Sequence, residues 1–291
     1  MKIQNTKYLK SLQLKALKIN FRKELEEEYP REEVDSFFNL LAEEYLGMSR
    51  LEMALQPDRQ ISEADNCHFE DAIKKLRNHQ PIQYIIGTTE FFGLKFKVTE
   101  GVLIPRPETE ELVQWILDEV SSEEKIKILD IGTGSGCIAI SLAKKLPNAE
   151  VSAMDISGEV LKIAKMNAES NSVNVNFIQQ DVLEVEELEN FDIIVSNPPY
   201  VRELEKKDMQ RNVLDYEPAL ALYVEDQNPL IFYEKITKLA KKALDQSGKL
   251  YFEINQYLAE ETGSLLKNSG FEACLKKDIF GNYRMLRGKK E

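Results

Sequence analysis

The sequence predicts an α/β fold in which a mostly parallel sheet, covered by helices on both faces, follows a small helical domain. Three observations carry this. From residue 126 onward, short apolar strands alternate with helical stretches, the pattern that builds a parallel sheet. Residues 1–80 show helical spacing of apolar residues and no convincing strand. Residues 81–107 differ from both and read as a linking β-hairpin. The predicted domains are therefore 1–80, 81–107 and 108–291.

In the first domain Leu9, Leu12, Leu14, Leu17 and Ile19 recur at helical spacing. Val34, Phe37, Phe38, Leu40, Leu41 and Tyr45 do so again after Pro30, and Phe69, Ala72, Ile73 and Leu76 mark another helix. In the linker, Tyr84, Ile85 and Ile86 precede Gly87, and Phe91, Phe92, Leu94, Phe96 and Val98 alternate loosely around Gly93. Pro105 and Pro107 close it. Pro107 also suits the first turn of a helix through Leu112, Val113, Trp115 and Ile116. Strands then fall at 126–131, 151–154, 175–178, 191–195 and 249–254, with helices at 137–146, 160–168, 230–244 and 256–267. Segments 271–277 and 282–286 read as a closing antiparallel pair around Gly281.

Bulk properties narrow the function. The 291 residues suffice for a sizeable core, and 43% hydrophobic with 30% charged residues is ordinary for a soluble globular protein. The formal net charge is −12. Proteins that live on nucleic acid draw most of their non-specific affinity from basic surfaces, so no stable nucleic-acid binding is expected. An acidic surface suits an enzyme with a basic protein partner. Cys67, Cys137 and Cys274 are far apart and odd in number, which argues against a disulfide framework and for a reducing compartment. The only histidines are His68 and His79, and the adjacent pair Cys67-His68 has poor geometry for a metal, so no metal site is expected. The lysine-punctuated start lacks the apolar run of a signal peptide, and no segment approaches the ~20 apolar residues of a membrane span. The expectation is a cytoplasmic monomer. Acidic runs at 24–33 and 184–189 read as solvated helix faces.

The first sheet strand ends in a turn containing Gly132, Thr133, Gly134, Ser135 and Gly136, which opens a helix. Ligands of open α/β sheets bind at the carboxyl ends of strands, and glycines let the backbone approach closely. The spacing is GxGxG. Cys137 occupies the position where a dinucleotide fingerprint needs its third glycine, and no P-loop is present. Asp130, just before the turn, is placed to orient a cationic amino group or the loop itself. Asp155 ends the second strand, 23 positions after Gly132, where an acid can hold both ribose hydroxyls; the alternative is a helix-start residue. Asp181, beside Val182, follows the third strand and is placed to accept an adenine amino hydrogen, or to serve as a plain turn residue. Three acids on three successive strand ends, around GxGxG, resemble the S-adenosylmethionine-dependent methyltransferases with a seven-stranded Rossmann-like sheet. That resemblance implies that the loop lies against the methionyl part and the second-strand acid holds the ribose.

The fourth strand ends in Ser196-Asn197-Pro198-Pro199-Tyr200. Two prolines make a rigid turn and leave the Pro198 carbonyl outside any ladder. Asn197 offers a second carbonyl. Two fixed acceptors match an NH2 group with two hydrogens, and Tyr200 can stack on a flat partner. The tetrapeptide resembles the signature of methyltransferases that act on planar nitrogens, in DNA adenine, ribosomal RNA guanine or protein glutamine.

Further motifs separate these. Pro81-Ile82-Gln83-Tyr84-Ile85-Ile86-Gly87, Phe91-Phe92-Gly93, the run Leu103 through Glu110 (LIPRPETE), Tyr216-Glu217-Pro218 with Ala221-Leu222, and Asp278 with Gly281 and Arg284 resemble the HemK/PrmC family, the release factor glutamine methyltransferases. The resemblance spans essentially the whole chain. It implies methylation of the side-chain amide of the glutamine in the Gly-Gly-Gln loop of bacterial peptide chain release factors, with the helical domain helping to grip the factor. By carry-over, Gly132, Thr133, Gly134, Ser135, Gly136, Asp155, Asp181, Val182 and Asn197 contact S-adenosylmethionine, and Asn197, Pro198, Pro199 and Tyr200 hold the glutamine. Arg106 and Thr109 line the pocket, unless Arg106 only pairs with Glu108 or Glu110. Two departures stand out. Glu225-Asp226-Gln227-Asn228-Pro229 replaces a Gly-rich turn, and Asn255 stands where the family usually has Gly, with Leu258 in place of a common Gln. The rival readings are a nucleic-acid amino methyltransferase with the same site, a non-catalytic binding protein, and a dinucleotide oxidoreductase.

Overall fold

A computed structural model describes residues 12–290; Leu9, assigned above to the first helix, lies outside them. The chain divides between Ile86 and Gly87 into two compact units.

The first unit is helical: Leu14–Leu25, Arg31–Leu46, Arg50–Leu55, Glu63–Arg77 and Ile82–Ile86. Local sequence sets several ends. Gly47, at φ 60°, terminates the second helix in the left-handed conformation. Ser49 and Glu52 form a capping box, and Ser62 accepts from the Asp65 N–H. Phe21, Phe38 and Phe69 are fully buried together, with the Phe21 and Phe38 ring centroids 5.5 Å apart edge to face. Ile19 and Leu40, which share the helical spacing of the apolar residues, are exposed. A two-residue antiparallel pair, Leu12–Gln13 with Gln60–Ile61, also occurs; a strand that short carries no period to read.

Tyr84, Ile85 and Ile86 belong to the helix Ile82–Ile86 rather than to a hairpin. Short apolar runs have no period that separates helix from strand, and here Pro81 supplies the helix-starting carbonyl that Tyr84 and Ile85 use. The hairpin is confined to Thr88–Phe91 and Leu94–Lys97. Its tip, Phe92 and Gly93, has φ of 53° and 73°, the doubly positive pattern of a tight hairpin turn. Phe91 and Phe96 are buried in the core of the second unit.

That unit holds a seven-stranded sheet: β1 Lys127–Ile131, β2 Glu150–Asp155, β3 Asn176–Gln179, β4 Phe191–Ser196, β5 Leu244–Glu253, β6 Phe271–Lys277 and β7 Tyr283–Lys290. Their spatial order is β6-β7-β5-β4-β1-β2-β3, all parallel except β7. Strand β5 starts at Leu244, earlier than expected, with a register break before Lys249, and β7 runs on to Lys290. The expected helix at 256–267 is a 3-10 turn, Gln256–Leu258, followed by the helix Ala259–Asn268. Alternate strand residues face opposite layers. Ile193, Val195 and Tyr251 join one core with Leu112, Trp115 and Ile116, and Ile194, Leu250 and Phe252 join the other with Tyr233, Ile236 and Leu266. Each such side chain, fully buried, contributes about 1.5–3 kcal/mol. The strand order reverses between β1 and β4, and the crevice outside their carboxyl ends is where an open α/β sheet takes ligands. Among the described residues, no helix is long and apolar enough to cross a membrane.

Candidate active site

The turn after β1 is built from its glycines. Gly132, Gly134 and Gly136 all have positive φ, at 74°, 55° and 83°. At Gly136 a Cβ would come within 2.8 Å of Ile140 Cδ1 and 3.3 Å of Ala164 Cβ, so only glycine lets the helix Cys137–Lys145 start where it does. The Gly132 and Thr133 N–H groups donate to the Met154 carbonyl of β2 at 2.8 and 3.0 Å. Asn167, 1% exposed, donates from Nδ2 to the Ser135 carbonyl at 2.9 Å and to the Lys97 carbonyl at 3.1 Å, while its Oδ1 accepts from the Lys97 N–H. The loop is therefore held from three sides.

The three strand-end acids lie around it. Asp130 is fully buried, and its Oδ2 accepts from the Thr133 hydroxyl at 2.6 Å. Burial pushes its carboxyl up to about 7, against hydrogen bonds from the Thr133 hydroxyl and the Ala139 N–H. Asp155 accepts from the Gly134 N–H and the Ser157 N–H, both at 3.0 Å. Ser157, not Asp155, caps the following helix. Asp181 accepts from the Leu183 N–H at 2.8 Å and so also stabilises its own turn. All of the loop residues except Gly136, together with Asp155, Asp181 and Val182, line one cavity, which Asn197, Pro198 and Pro199 enter from β4. Cys137 lines it too, but burial pushes its thiol up to about 12, far from a thiolate at neutral pH. A larger, open hollow of about 850 Å³ at the other end of the strands, beside Lys127, Glu150 and Phe191, has no comparable glycine loop.

The Asn197-Pro198-Pro199-Tyr200 turn is braced by β5. Among the described residues, no backbone hydrogen bond ends on the Pro198 carbonyl. Asn197 Nδ2 donates to Thr109 Oγ1 at 3.4 Å, which leaves Oδ1 available. Thr109 donates to Glu253 Oε2 at 2.5 Å, and Tyr200 donates to Glu253 Oε1 at 2.8 Å. Tyr200, expected to stack on the substrate, does not line the cavity: its hydroxyl is committed to Glu253 and its ring packs against the core that holds Tyr233 and Phe252. Glu253 is 1% exposed; burial raises its carboxyl above the ordinary range, opposed by the two hydroxyls and by nearby Arg284. Sequence reasoning missed it, although a lone acid inside the apolar run 250–254 was a signal.

Arg106 lines the cavity, but neither of the partners considered for it is correct. Its Nη2 meets Glu217 Oε1 at 2.6 Å, whereas Glu110 accepts from the Phe92 N–H. Asn255, the departure from the family pattern, donates to the Tyr200 carbonyl at 2.9 Å and to Glu205 at 3.0 Å, and accepts from the Tyr257 N–H. It ties the end of β5 to the Pro-Pro turn. In the other departure, Asp226 accepts from the Leu204 N–H.

Residues 108–217 match the family described as the methyltransferase small domain, and residues 17–87 the PrmC N-terminal domain. The release factor glutamine methyltransferase of Flavobacterium psychrophilum is 51% identical over 279 residues, covering 94% of this chain and 98% of its own. That of Bacteroides thetaiotaomicron is 46% identical, covering 91% and 96%. Among solved structures, a methyltransferase from Pyrococcus furiosus superposes with a TM-score of 0.51 at 21% identity, over 76% of this chain and 98% of that one, a likeness of fold.

Proposed function

The chain belongs to the release factor glutamine methyltransferase family, and from that premise we propose that it transfers a methyl group from S-adenosylmethionine to the side-chain amide nitrogen of the Gly-Gly-Gln glutamine in bacterial peptide chain release factors. The observation that carries this reading is the pair of unused acceptors on one stiff turn, Asn197 Oδ1 and the Pro198 carbonyl.

The cavity residues fit the donor. Asp130 lies behind the glycine loop rather than in the cavity, and through the Thr133 hydroxyl it holds that loop in shape. Asp155 suits two ribose hydroxyls, and Asp181 with Val182 suits an adenine edge and face. S-adenosylmethionine supplies a methyl group already activated on a sulfonium sulfur.

The protein's task is the nucleophile. An amide nitrogen is poor because its lone pair is delocalised into the carbonyl. Asn197 Oδ1 and the Pro198 carbonyl accept both amide hydrogens, orient the nitrogen and favour its pyramidal form. The C–N bond forms as the C–S bond breaks, and one nitrogen proton leaves afterwards, so no strong base is needed beforehand. Orientation of this kind supplies roughly 7–11 kcal/mol of a barrier. The stiff Pro198-Pro199 pair keeps the acceptors in place before substrate arrives. Residues 17–87 serve in this reading to grip the release factor.

The test is methyl transfer from labelled S-adenosylmethionine to a purified bacterial release factor, beside the same factor with its motif glutamine replaced and beside DNA and ribosomal RNA. Label on the intact factor alone, lost with Asn197→Ala, is the expected result. Label on nucleic acid would keep the chemistry and overturn the substrate.

A further inference from the structure

The reading above needs the Asn197 amide to present its oxygen, not its NH2, to the substrate. A side-chain amide can turn over by 180° at little steric cost, so something must choose. Three observations identify what does. Glu253 lies at the end of β5, next to β4 in the sheet, and is 1% exposed. Its Oε2 accepts from the Thr109 hydroxyl at 2.5 Å. Thr109, itself 2% exposed, is the group that Asn197 Nδ2 reaches, at 3.4 Å.

We infer that Glu253 is a positioning residue for methyl transfer: through the Thr109 hydroxyl it fixes which face of the Asn197 amide is turned to the substrate. This rests on the amide-methylation reading. The argument is one of hydrogen count. A threonine hydroxyl has a single proton. Once that proton is donated to Glu253, the Thr109 oxygen has only lone pairs to offer. Asn197 must then turn its NH2 toward Thr109, and its Oδ1 is left for the substrate. An ionised Glu253 has acceptors only, so Thr109 and Tyr200 both donate to it. A neutral Glu253 keeps that direction when its proton is on Oε1, toward Tyr200, because Oε2 then still accepts from Thr109.

Without the acceptor at position 253, the Thr109 proton is free to go to Asn197 Oδ1. The amide then turns, and two NH2 groups face each other where one acceptor and one NH2 are required. A buried carboxylate costs more than an apolar residue of similar volume unless it is well partnered. Its two hydroxyl partners, Thr109 beside Asn197 and Tyr200 at the end of the same turn, match this role. Glu253 touches neither reactant.

The test uses the full chain with Thr109→Val, Thr109→Ser, Glu253→Leu, Glu253→Gln and the double variant Thr109→Val/Glu253→Leu. Methyl-transfer kcat, S-adenosylmethionine affinity by titration calorimetry and melting temperature are measured on each. Thr109→Val and Glu253→Leu should each lower kcat by about 10²-fold, as a misplaced reacting group does, with cofactor affinity within about threefold of wild type. Thr109→Ser restores the hydroxyl. Glu253→Gln restores an acceptor toward Thr109 and a donor toward Tyr200. Both should recover kcat to within about tenfold of wild type. The double variant should lose no more than either single one, since both break one chain. A folded Thr109→Val or Glu253→Leu with wild-type kcat overturns the inference, as do additive losses in the double variant. Should Glu253→Leu not fold, Thr109→Val with its serine rescue decides alone. The wild-type control separates the two claims: transfer to the release factor tests the substrate, and the variants are compared on whichever NH2-bearing acceptor the wild type labels.

Discussion

Arg106 and Glu217 stand 111 positions apart, yet the guanidinium Nη2 and the carboxylate Oε1 meet at 2.6 Å, with the Glu217 side chain only 2% exposed. Glu217 Oε2 also reaches the Ile104 N–H, so one carboxylate joins the chain before the Pro107 helix to the chain before Pro218. Arg106 and Pro218 both line the cavity. Removing one partner of a buried pair strands the other charge, a loss of 3–5 kcal/mol when both are buried. Arg106 is 31% exposed, so Arg106→Ala should cost less, about 1–3 kcal/mol, seen as a lowered melting temperature. S-adenosylmethionine affinity should fall with it, because both segments bound the same cavity. Unchanged affinity in calorimetry would show that the pair braces the fold without shaping the site.

Stability should depend on pH through Asp130. Burial pushes its carboxyl up to about 7. A folded-state value raised from 3.8 to about 7 means that the native state holds a proton the unfolded state has released. The contribution to stability is full below 3.8 and is lost as pH rises through about 7. Melting scans of the free protein from pH 5 to 8 should show a decline that Asp130→Asn removes.

Asn167 should couple the hairpin to the glycine loop. Asn167→Ala removes three side-chain hydrogen bonds, two to the Lys97 backbone and a buried one to the Ser135 carbonyl. A loss of about 2–4 kcal/mol is expected from lowered thermal unfolding. Amide exchange at Ser135 and Gly136 should accelerate by more than in the rest of the sheet. If exchange there is unchanged, the loop is held by Asp130 and Asp155 without Asn167.

The parts of this molecule that were legible in its sequence are those with local pattern. The strand ends at Asp130, Asp155 and Asn197 each pair a short apolar run with a polar residue and a turn, and the glycines after β1 need positive φ in a fixed order. The helix Ile82–Ile86 was read as strand because five apolar-rich residues contain no period to decide it. Ile19 shares the helical spacing yet is exposed, since spacing alone does not say which flank of the stripe is covered. Glu253, and the pairing of Glu217 with Arg106, were missed for another reason. Their partners Thr109 and Arg106 lie 144 and 111 positions away, and a contact across that distance leaves no mark at either end of the sequence. The apolar surroundings of Glu253 gave the one available hint: a charge inside a buried strand requires a partner.

The last prediction concerns stability far from the site. Glu119 follows the helix Pro107–Asp118 and takes four donors: Trp115 Nε1 at 2.8 Å, the Tyr251 hydroxyl at 2.9 Å, Arg287 Nη1 at 2.5 Å and Lys249 Nζ at 2.9 Å. Burial pushes its carboxyl up, but the hydrogen bonds and charges of Lys249, Tyr251 and Arg287 outweigh it and hold the group down at about 2. A folded-state value depressed from 4.5 to about 2 contributes stability above pH 4.5 that is lost as pH falls toward 2. Glu119→Gln keeps the shape and removes the charge, leaving Lys249 and Arg287 without their shared anion. It should lower stability at pH 7 by about 1–3 kcal/mol, a melting shift of roughly 3–8 °C for a unit of this size. It should also flatten the fall in melting temperature between pH 5 and 3. Neither Glu119 nor Lys249 lines the cavity, so methyl transfer per folded molecule should not change. An unshifted acid limb in Glu119→Gln would mean that other carboxylates govern acid unfolding and that the four-donor cluster adds packing without charge stabilisation.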